Sequence, residues 1–473
     1  MPRVAVIGGG ITGLAAAYRI RELAIARETP IEAVVLERGP RVGGPLATIS
    51  RDGFTIETGT DSMLTEKPAA IELARRVGLE PEFIPTREEF RKTYVVRKGR
   101  LVAIPAGFAL LAPVRIGPVL TSPLFSIKGK LRMALEPFIP AGSESDESLA
   151  SFVTRRLGRE VLDRVAQPLA GGIYTADPNR LSMAATMPRF LEMERRYGSL
   201  LRGMQAAEKA RAAAAEKKGT SGARWSLFLS FKAGMRALVD TLADRLGGAV
   251  RTGAEVKSIA RSDDQWNIAF SDGSSMSADA IVCALPGYAA ASLLRPIEPR
   301  LADRLGAISY SSAATVNLAW RESDFPRPLD SFGFVVPAIE KRTIIAGSFL
   351  SLKYQHRAPD GWVLARVFLG GRLQTGMMEL SDDEMVAAAR SEFRELLNVT
   401  AEPAFAVVKR WPDAMPQYEV GHLDRVAEIE RIAESVPGLY LAGAAYRGVG
   451  VPDCVRSAEQ AAEAVSNRLS AQK

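Results

Sequence analysis

Cysteine and histidine are nearly missing from this sequence. Among its 473 residues only Cys283 and Cys454 are cysteines, and only His356 and His422 are histidines. Two cysteines cannot build a disulfide framework or a cysteine-rich metal site, and two histidines in unrelated contexts argue against a histidine-based metal centre, so no metal is expected. Long apolar runs are scarce as well. The longest, residues 103–114, is interrupted by Pro105 and Pro113 and followed by Arg115, too short and too broken to span a bilayer. No basic tract with interleaved aromatics is present, which leaves no footprint for a nucleic acid. The chain starts directly on an apolar strand, so no signal peptide is expected, and a cytoplasmic, reducing setting follows.

Hydrophobic residues make up 47% of the chain, ample for large cores in two or three domains. Against 54 acidic residues stand 61 basic ones, a net charge of +7. That modest excess fits an anionic partner or anionic lipid surface, and equally a slightly basic solvated surface. Phe108, Leu110, Leu111, Leu120, Leu124 and Phe125 supply an apolar face for a membrane surface or for a greasy pocket.

The most informative stretch is the first 37 residues. Val4 to Ile7 is a β-prone run, and it feeds into Gly8-Gly9-Gly10-Ile11-Thr12-Gly13. This is the G-x-G-x-x-G spacing of a dinucleotide-binding turn: Gly8 for the tight exit, Gly10 for close backbone approach to a pyrophosphate, Gly13 for helix-on-sheet packing. A helix over Leu14 to Leu23 and a strand over Ile31 to Leu36 follow, and Glu37 lies 24 residues beyond Gly13. An acid there holds a ribose 2′-hydroxyl and repels a 2′-phosphate. The expected fold class is therefore α/β (α+β overall), with a Rossmann-like nucleotide-binding domain.

Farther along, a capped helix is expected over 67–77, and a hairpin over Tyr94–Val96 and Leu101–Ile104. Helices follow over 128–138, 148–157 and 163–169. The glycine-rich Gly171 to Pro178 reads as irregular backbone, with Gly172 and Tyr174 suited either to a flat ligand or to a plain turn. Residues 206–224 read as a helix fraying into a loop. An unbroken strand is expected over 250–259, and a central parallel strand over 280–286. Strands over 315–320, 333–336, 343–349 and 362–369 precede a helix at 381–397. The end reads as a strand over 437–443, a loop over Ala444 to Cys454 and a helix over 455–469.

After Glu37 come Arg41-Val42-Gly43-Gly44 and then Glu57-Thr58-Gly59, an extension that nicotinamide enzymes do not need. It resembles the second fingerprint of the flavin amine-oxidase superfamily, with Pro45 where that superfamily often has a basic residue. With Gly172-Ile173-Tyr174, Leu181-Ser182, Pro188, Met415-Pro416-Gln417-Tyr418, Gly421-His422 and Gly448 to Cys454, the chain resembles the flavin-dependent protoporphyrinogen/coproporphyrinogen oxidases of haem biosynthesis over nearly its whole length.

That resemblance implies FAD contacts at Gly8, Gly10, Thr12, Gly13, Glu37, Arg38, Gly44, Gly59, Val256, Trp411, Val449, Gly450 and Val451. It implies a discontinuous FAD domain (1–85, 235–300 and 406–473), a substrate domain on a mixed or antiparallel sheet (86–105 and 301–405), and a mostly helical insertion (106–234). It also implies six-electron oxidation of a porphyrinogen, with molecular oxygen as acceptor and hydrogen peroxide as product; whether coproporphyrinogen III or protoporphyrinogen IX is used stays open. The flavin carries the chemistry, so no catalytic side chain is named. Substrate propionates call for cations, with Arg91 and Lys92 as candidates and Arg447 behind them. Peripheral contact with the inner face of the membrane and oligomeric state stay open. The competing readings are an amine oxidase or carotenoid desaturase of the same superfamily, and a flavin-free binding protein of the same fold.

Overall fold

The computed structural model describes residues 1–109, 111–114, 117–217, 227–262 and 264–471. Leu110, Arg115 and the 218–224 part of the expected frayed segment lie outside them. Five parallel strands form the first sheet, in the order Val250–Thr252, Glu32–Glu37, Arg3–Ile7, Ala280–Cys283, Leu439–Leu441. Arg3–Ile7, Glu32–Glu37 and Ala280–Cys283 are apolar at every inner position because both faces are covered, whereas the edge strand Val250–Thr252 exposes Arg251 and Thr252. Val4 and Val6 pack with Leu14 of the opening helix (Ile11–Ala26) and Val455 of the closing helix (Val451–Ala471). Ala5 and Ile7 pack with Trp266, Leu301 and Val426 on the other side. Alanines on both helices, Ala15 to Ala17 against Ala458, Ala461 and Ala462, let the first and last helices of the chain share one core.

The second sheet has seven strands, in the order Phe405–Pro416, Tyr310–Arg321, Trp362–Gly370, Ala346–Phe349, Gly333–Val335, Thr93–Arg97, Arg100–Ala103. It is mixed: only Gly333–Val335 and Thr93–Arg97 run parallel. One face buries Trp320, Phe334 and Phe349 against Phe393 of the helix Asp382–Leu397, whose start is closed by a Ser381/Glu384 capping box. The opposite face carries Thr315 and Arg366. The long edge strand Phe405–Pro416 belongs to this sheet, across the boundary expected at residue 406.

Three local expectations are corrected. Val250 to Ile259 is two strands in two sheets, because Gly253 (φ +69°) turns the chain and the Gly253 and Ala254 amides bond to Gly39 and Glu37 carbonyls at 3.0 and 2.9 Å. Gly171 to Tyr174 is the end of a helix, Gln167–Tyr174, which stops at Thr175 in the left-handed region (φ +50°). The closing helix starts at Val451, earlier than Val455, since Pro452 falls in its first turn, where a missing N–H costs nothing.

Helices between residues 127 and 217 are tied together around Arg156, which pairs with Glu136 and, at 3.2 Å, with the buried Glu194. Glu136 and Arg156 are both fully buried, with Arg156 Nε 2.9 Å from Glu136 Oε1. Arg156 also donates to the carbonyls of Ile139 (2.7 Å) and Gly198 (3.0 Å), while Glu136 accepts from Ser199 Oγ (2.5 Å) and the Leu200 amide (2.8 Å). The pair thereby caps the helix Leu200–Lys217 and ties it to Leu149–Leu157. Arg156→Met strands Glu136 as a lone buried charge and is expected to cost about 3–5 kcal/mol. Urea unfolding of the two proteins checks this, and a loss below about 1 kcal/mol, the scale of an exposed ion pair, would show that Glu136 has found water.

Candidate functional site

The glycine turn has the geometry its spacing promises. Gly8 sits at φ +111° and a Cβ there would meet the Ala284 carbonyl oxygen at 2.8 Å, while a Cβ on Gly13 would lie 1.9 Å from the Gly8 carbonyl oxygen. Gly10 differs: a Cβ on it would meet nothing within 4 Å, because the backbone faces open space. The opening helix begins there without a side-chain cap or an acid in its first turn, and the Ile11, Thr12 and Gly13 amides donate to no described group. Both carboxylate oxygens of Glu37 are fixed, by the Gly9 amide at 2.8 Å and the Gly39 amide at 2.7 Å. Each oxygen keeps a lone pair for a ribose hydroxyl. Val256 opens its strand just after the turn bonded to Glu37 and Gly39, and Arg38 stands exposed with no acid paired to it among the described residues.

The other predicted cofactor residues form a continuous chain of contacts from this turn. The Gly43 amide bonds to the Gly9 carbonyl at 2.8 Å, and Gly44 (φ +55°) abuts the Gly10 Cα. The Pro45 carbonyl accepts the Thr60 amide at 3.2 Å and presses on Gly59, where a Cβ would lie 2.0 Å from it and 3.2 Å from the Trp411 ring. At the other end, Ile11 shares a core with Val451 and Cys454, and a Cβ on Gly443 would lie 3.8 Å from Thr12 Oγ1. Two helix starts thus stand side by side. The amides of Val449, Gly450 and Val451 also lack described partners. A strand-turn-helix with an open glycine, a fixed acid and two uncapped helix starts fits the diphosphate, ribose and ring of a flavin dinucleotide.

Sequence reasoning missed what holds the Glu57–Asp61 segment. The Thr58 carbonyl accepts from Trp411 Nε1 (2.8 Å) and Thr315 Oγ1 (2.9 Å), and the Gly59 carbonyl from Arg366 Nη1 (2.7 Å). Strands of the seven-stranded sheet therefore pin the segment directly. Asp61 is held by Lys353 Nζ and Arg366 Nη2, each at 3.0 Å. Burial alone would raise its pKa; Lys353 and Arg366 outweigh burial and hold the carboxyl well below the usual range. Burial pushes Glu57 up, and its carboxylate accepts from the Met235 amide (2.7 Å) and Thr48 (2.8 Å), a structural task. The overlooked signal was Arg366 itself, a lone charge in an otherwise apolar strand.

The predicted substrate residues separate. Gly172 is exposed and the Tyr174 phenol, pushed up to about 12 by burial and by Asp453, lies within electrostatic reach of the closing helix. Lys92 pairs with Asp330 at 2.7 Å, both half exposed, and Arg91 beside it is exposed. They lead into strand Thr93–Arg97, five strands across the sheet from Trp411. Arg447 pairs with Glu430, its Nε at 2.8 Å. Burial pushes both Cys283 and Cys454 up to about 11, so both stay thiols.

Two signature residues to which the sequence assigned no role, Tyr418 and His422, underlie the closing loop. Tyr418 stacks on His422 with ring centroids 3.9 Å apart, and His422 Nε2 lies 2.8 Å from the Tyr446 carbonyl oxygen.

Residues 11–466 match the family model described as flavin containing amine oxidoreductase. The coproporphyrinogen III oxidase of Bacillus subtilis (strain 168) is 33% identical over 469 residues, 98% of this chain and 97% of that protein. That of Propionibacterium freudenreichii subsp. freudenreichii is 34% identical over 487 residues, 97% of this chain and 90% of that protein. A solved structure from Exiguobacterium sp. 255-15, assigned as a protoporphyrinogen oxidase, superposes with a TM-score of 0.86 at 29% identity, covering 99% of each chain.

His422 generates a pH prediction. Burial first, then Arg425 and Arg447, hold its ring down to about 4 against an ordinary 6.5. The unfolded chain therefore takes up a proton between these values that the folded chain refuses, so stability falls as pH drops through this window, by about 1.4 kcal/mol per unit and roughly 3 kcal/mol in all. Urea midpoints at several pH values should show the slope in the native protein, and His422→Gln should flatten it. A Gln variant as acid-sensitive as the native protein assigns the slope elsewhere.

Proposed function

The chain belongs to the flavin containing amine oxidoreductase family, and from that premise we propose that it is an FAD-dependent porphyrinogen oxidase of haem biosynthesis, acting on coproporphyrinogen III. The observation that carries the cofactor is the pair of adjacent uncapped helix starts, Ile11–Gly13 and Val449–Val451, with Gly10 open between them and Glu37. The choice of substrate is supported by bacterial relatives named coproporphyrinogen III oxidases along nearly the full chain. Bound FAD supplies the hydride acceptor for three two-electron steps, with three molecules of oxygen taking the electrons away as hydrogen peroxide.

In this reading the chain's residues bind and orient. Gly8, Gly10, Thr12, Gly13 and Gly44 line the diphosphate; Glu37, Arg38 and Val256 take the adenosine end; Gly59, Trp411 and Val449 to Val451 face the ring. Gly172 and Tyr174 border the macrocycle's slot. Arg91 and Lys92 are the first cations to test for propionates, Lys92 having to exchange Asp330 for a substrate carboxylate. The FAD domain comprises 1–85, 235–300 and 406–473, less the edge strand that ends at Pro416.

A specific observation favours peripheral lipid contact. Ile127, Leu131, Leu135 and Phe138 form an exposed stripe at helical spacing, 76%, 63%, 54% and 78% accessible, beside Lys128. No helix of the described residues is long and apolar enough to cross a membrane.

The purified protein should be yellow and should oxidise coproporphyrinogen III at least about tenfold faster, in kcat/KM, than protoporphyrinogen IX, a difference of about 1.4 kcal/mol. Parallel fluorescence assays of porphyrin formation decide it; colourless protein ends the flavin reading, and a reversed preference ends the choice of substrate. Sedimentation with phosphatidylglycerol vesicles should fall about fivefold in Ile127→Asp/Leu131→Asp relative to the native protein, and equal binding would leave the stripe without this role.

A further inference from the structure

The motif Met415 to Tyr418 with Gly421-His422 finds a use at the junction of the sheets. Its extended segment is bound on both sides: the Gln417 amide donates to the Ser309 carbonyl and the Tyr418 carbonyl accepts from the Ser182 amide, each at 2.8 Å. Adjacent residues in extended backbone point in opposite directions. Gln417, buried, donates from Nε2 to the Tyr174 carbonyl (3.0 Å) and Ser311 Oγ (2.9 Å), fixing the end of the helix that carries Gly172 and Tyr174.

Tyr418, also buried, faces the loop before the closing helix. Its hydroxyl donates to the Ala444 carbonyl (2.6 Å) and accepts from the Gly448 amide (2.8 Å). His422 supports the phenol ring from below and holds the Tyr446 carbonyl. Three backbone groups of one loop are thus taken by two side chains. The loop is bounded by Gly443 (φ +130°) and Gly448 (φ +146°), so its own backbone has weak preferences. What the clamp delivers is the run of unpartnered amides at Val449 to Val451.

We propose that Gln417 and Tyr418 are a pair of positioning residues on one short segment, Tyr418 setting the loop that faces the flavin and Gln417 setting the helix end that borders the substrate slot. The inference rests on the flavin reading above and adds to it a division of labour. Deleting the Tyr418 hydroxyl removes both bonds to the loop while the ring keeps its stack on His422. Deleting the Gln417 amide releases Tyr174 and leaves the loop clamped.

The test uses the full-length holoenzyme. Tyr418→Phe is expected to shift the visible absorbance envelope of the bound flavin and to weaken FAD binding about tenfold, the scale of one to two neutral hydrogen bonds, with KM for coproporphyrinogen III within about twofold of native. Gln417→Met is expected to leave envelope and FAD affinity unchanged and to raise KM about fivefold. His422→Gln, which removes the ring under the phenol, should move the flavin envelope in the same direction as Tyr418→Phe. Thermal unfolding followed by far-UV circular dichroism accompanies each variant. The proposal is overturned if Tyr418→Phe and His422→Gln keep the native flavin envelope, if Gln417→Met leaves KM unmoved, or if every loss merely tracks a lowered melting temperature. A native protein that binds no flavin refutes the cofactor reading instead, and the two failures are distinguishable before any variant is made.

Discussion

An α-helix begins with amide groups that its own backbone cannot satisfy, and here two helices begin that way next to each other. The opening helix has neither a capping side chain nor an acid in its first turn, and the Val449 to Val451 amides at the start of the closing helix are equally free of described partners. Left buried and bare, such groups cost free energy, so they persist only where water or an acceptor-rich ligand reaches them. Their dipoles add, and the patch between them favours negative charge. The rest of the molecule answers to that requirement. The alanines shared by the first and last helices let the two ends of the chain close on one core, and Gly13 brings the opening helix within a Cβ of the Gly8 carbonyl.

Such a cradle suits phosphates, and the neighbouring Thr58–Gly59 backbone is held instead by the second sheet. Thr315, Arg366 and Trp411, from three adjacent strands, take the Thr58 and Gly59 carbonyls. Side chains of fixed length anchored in a sheet set a backbone more tightly than a loop could. The charges that accompany them, Asp61 between Lys353 and Arg366, are tolerable in the interior because each is paired and hydrogen-bonded. A packed sheet thereby fixes the strip of chain on which the cofactor reading depends.

This arrangement explains which features were legible. The geometry of the turn at Gly8, Gly10, Gly13 and Glu37 could be read because it depends on local spacing, and spacing is what a sequence records. The inner strands of the parallel sheet were equally plain from their apolar runs. Tertiary bonding was not. Val250 to Ile259 alternates well enough to pass for one strand, and only the bonds to Gly39 and Glu37 reveal the turn at Gly253. Gly171 and Gly172 looked like breakers, yet packing keeps them helical through Tyr174. Nor does the sequence show that Lys92 already holds a carboxylate, that of Asp330, 238 residues away.

The same contrast separates the two kinds of residue in the Met415 to His422 segment. Gln417 and Tyr418 are neighbours in the chain but serve groups 243 and 26 residues distant in opposite directions, at Tyr174 and Ala444. No pattern of hydrophobicity or spacing encodes such bonds, because each partner is a backbone carbonyl or amide that any residue would supply. The segment's composition carries a second clue in retrospect. A buried glutamine, tyrosine and histidine within six residues desolvate several polar atoms, an expense that a core of leucines would avoid. A chain that keeps these groups inside needs backbone held in place there, and the backbone held is the pair of segments between which flavin and macrocycle would meet.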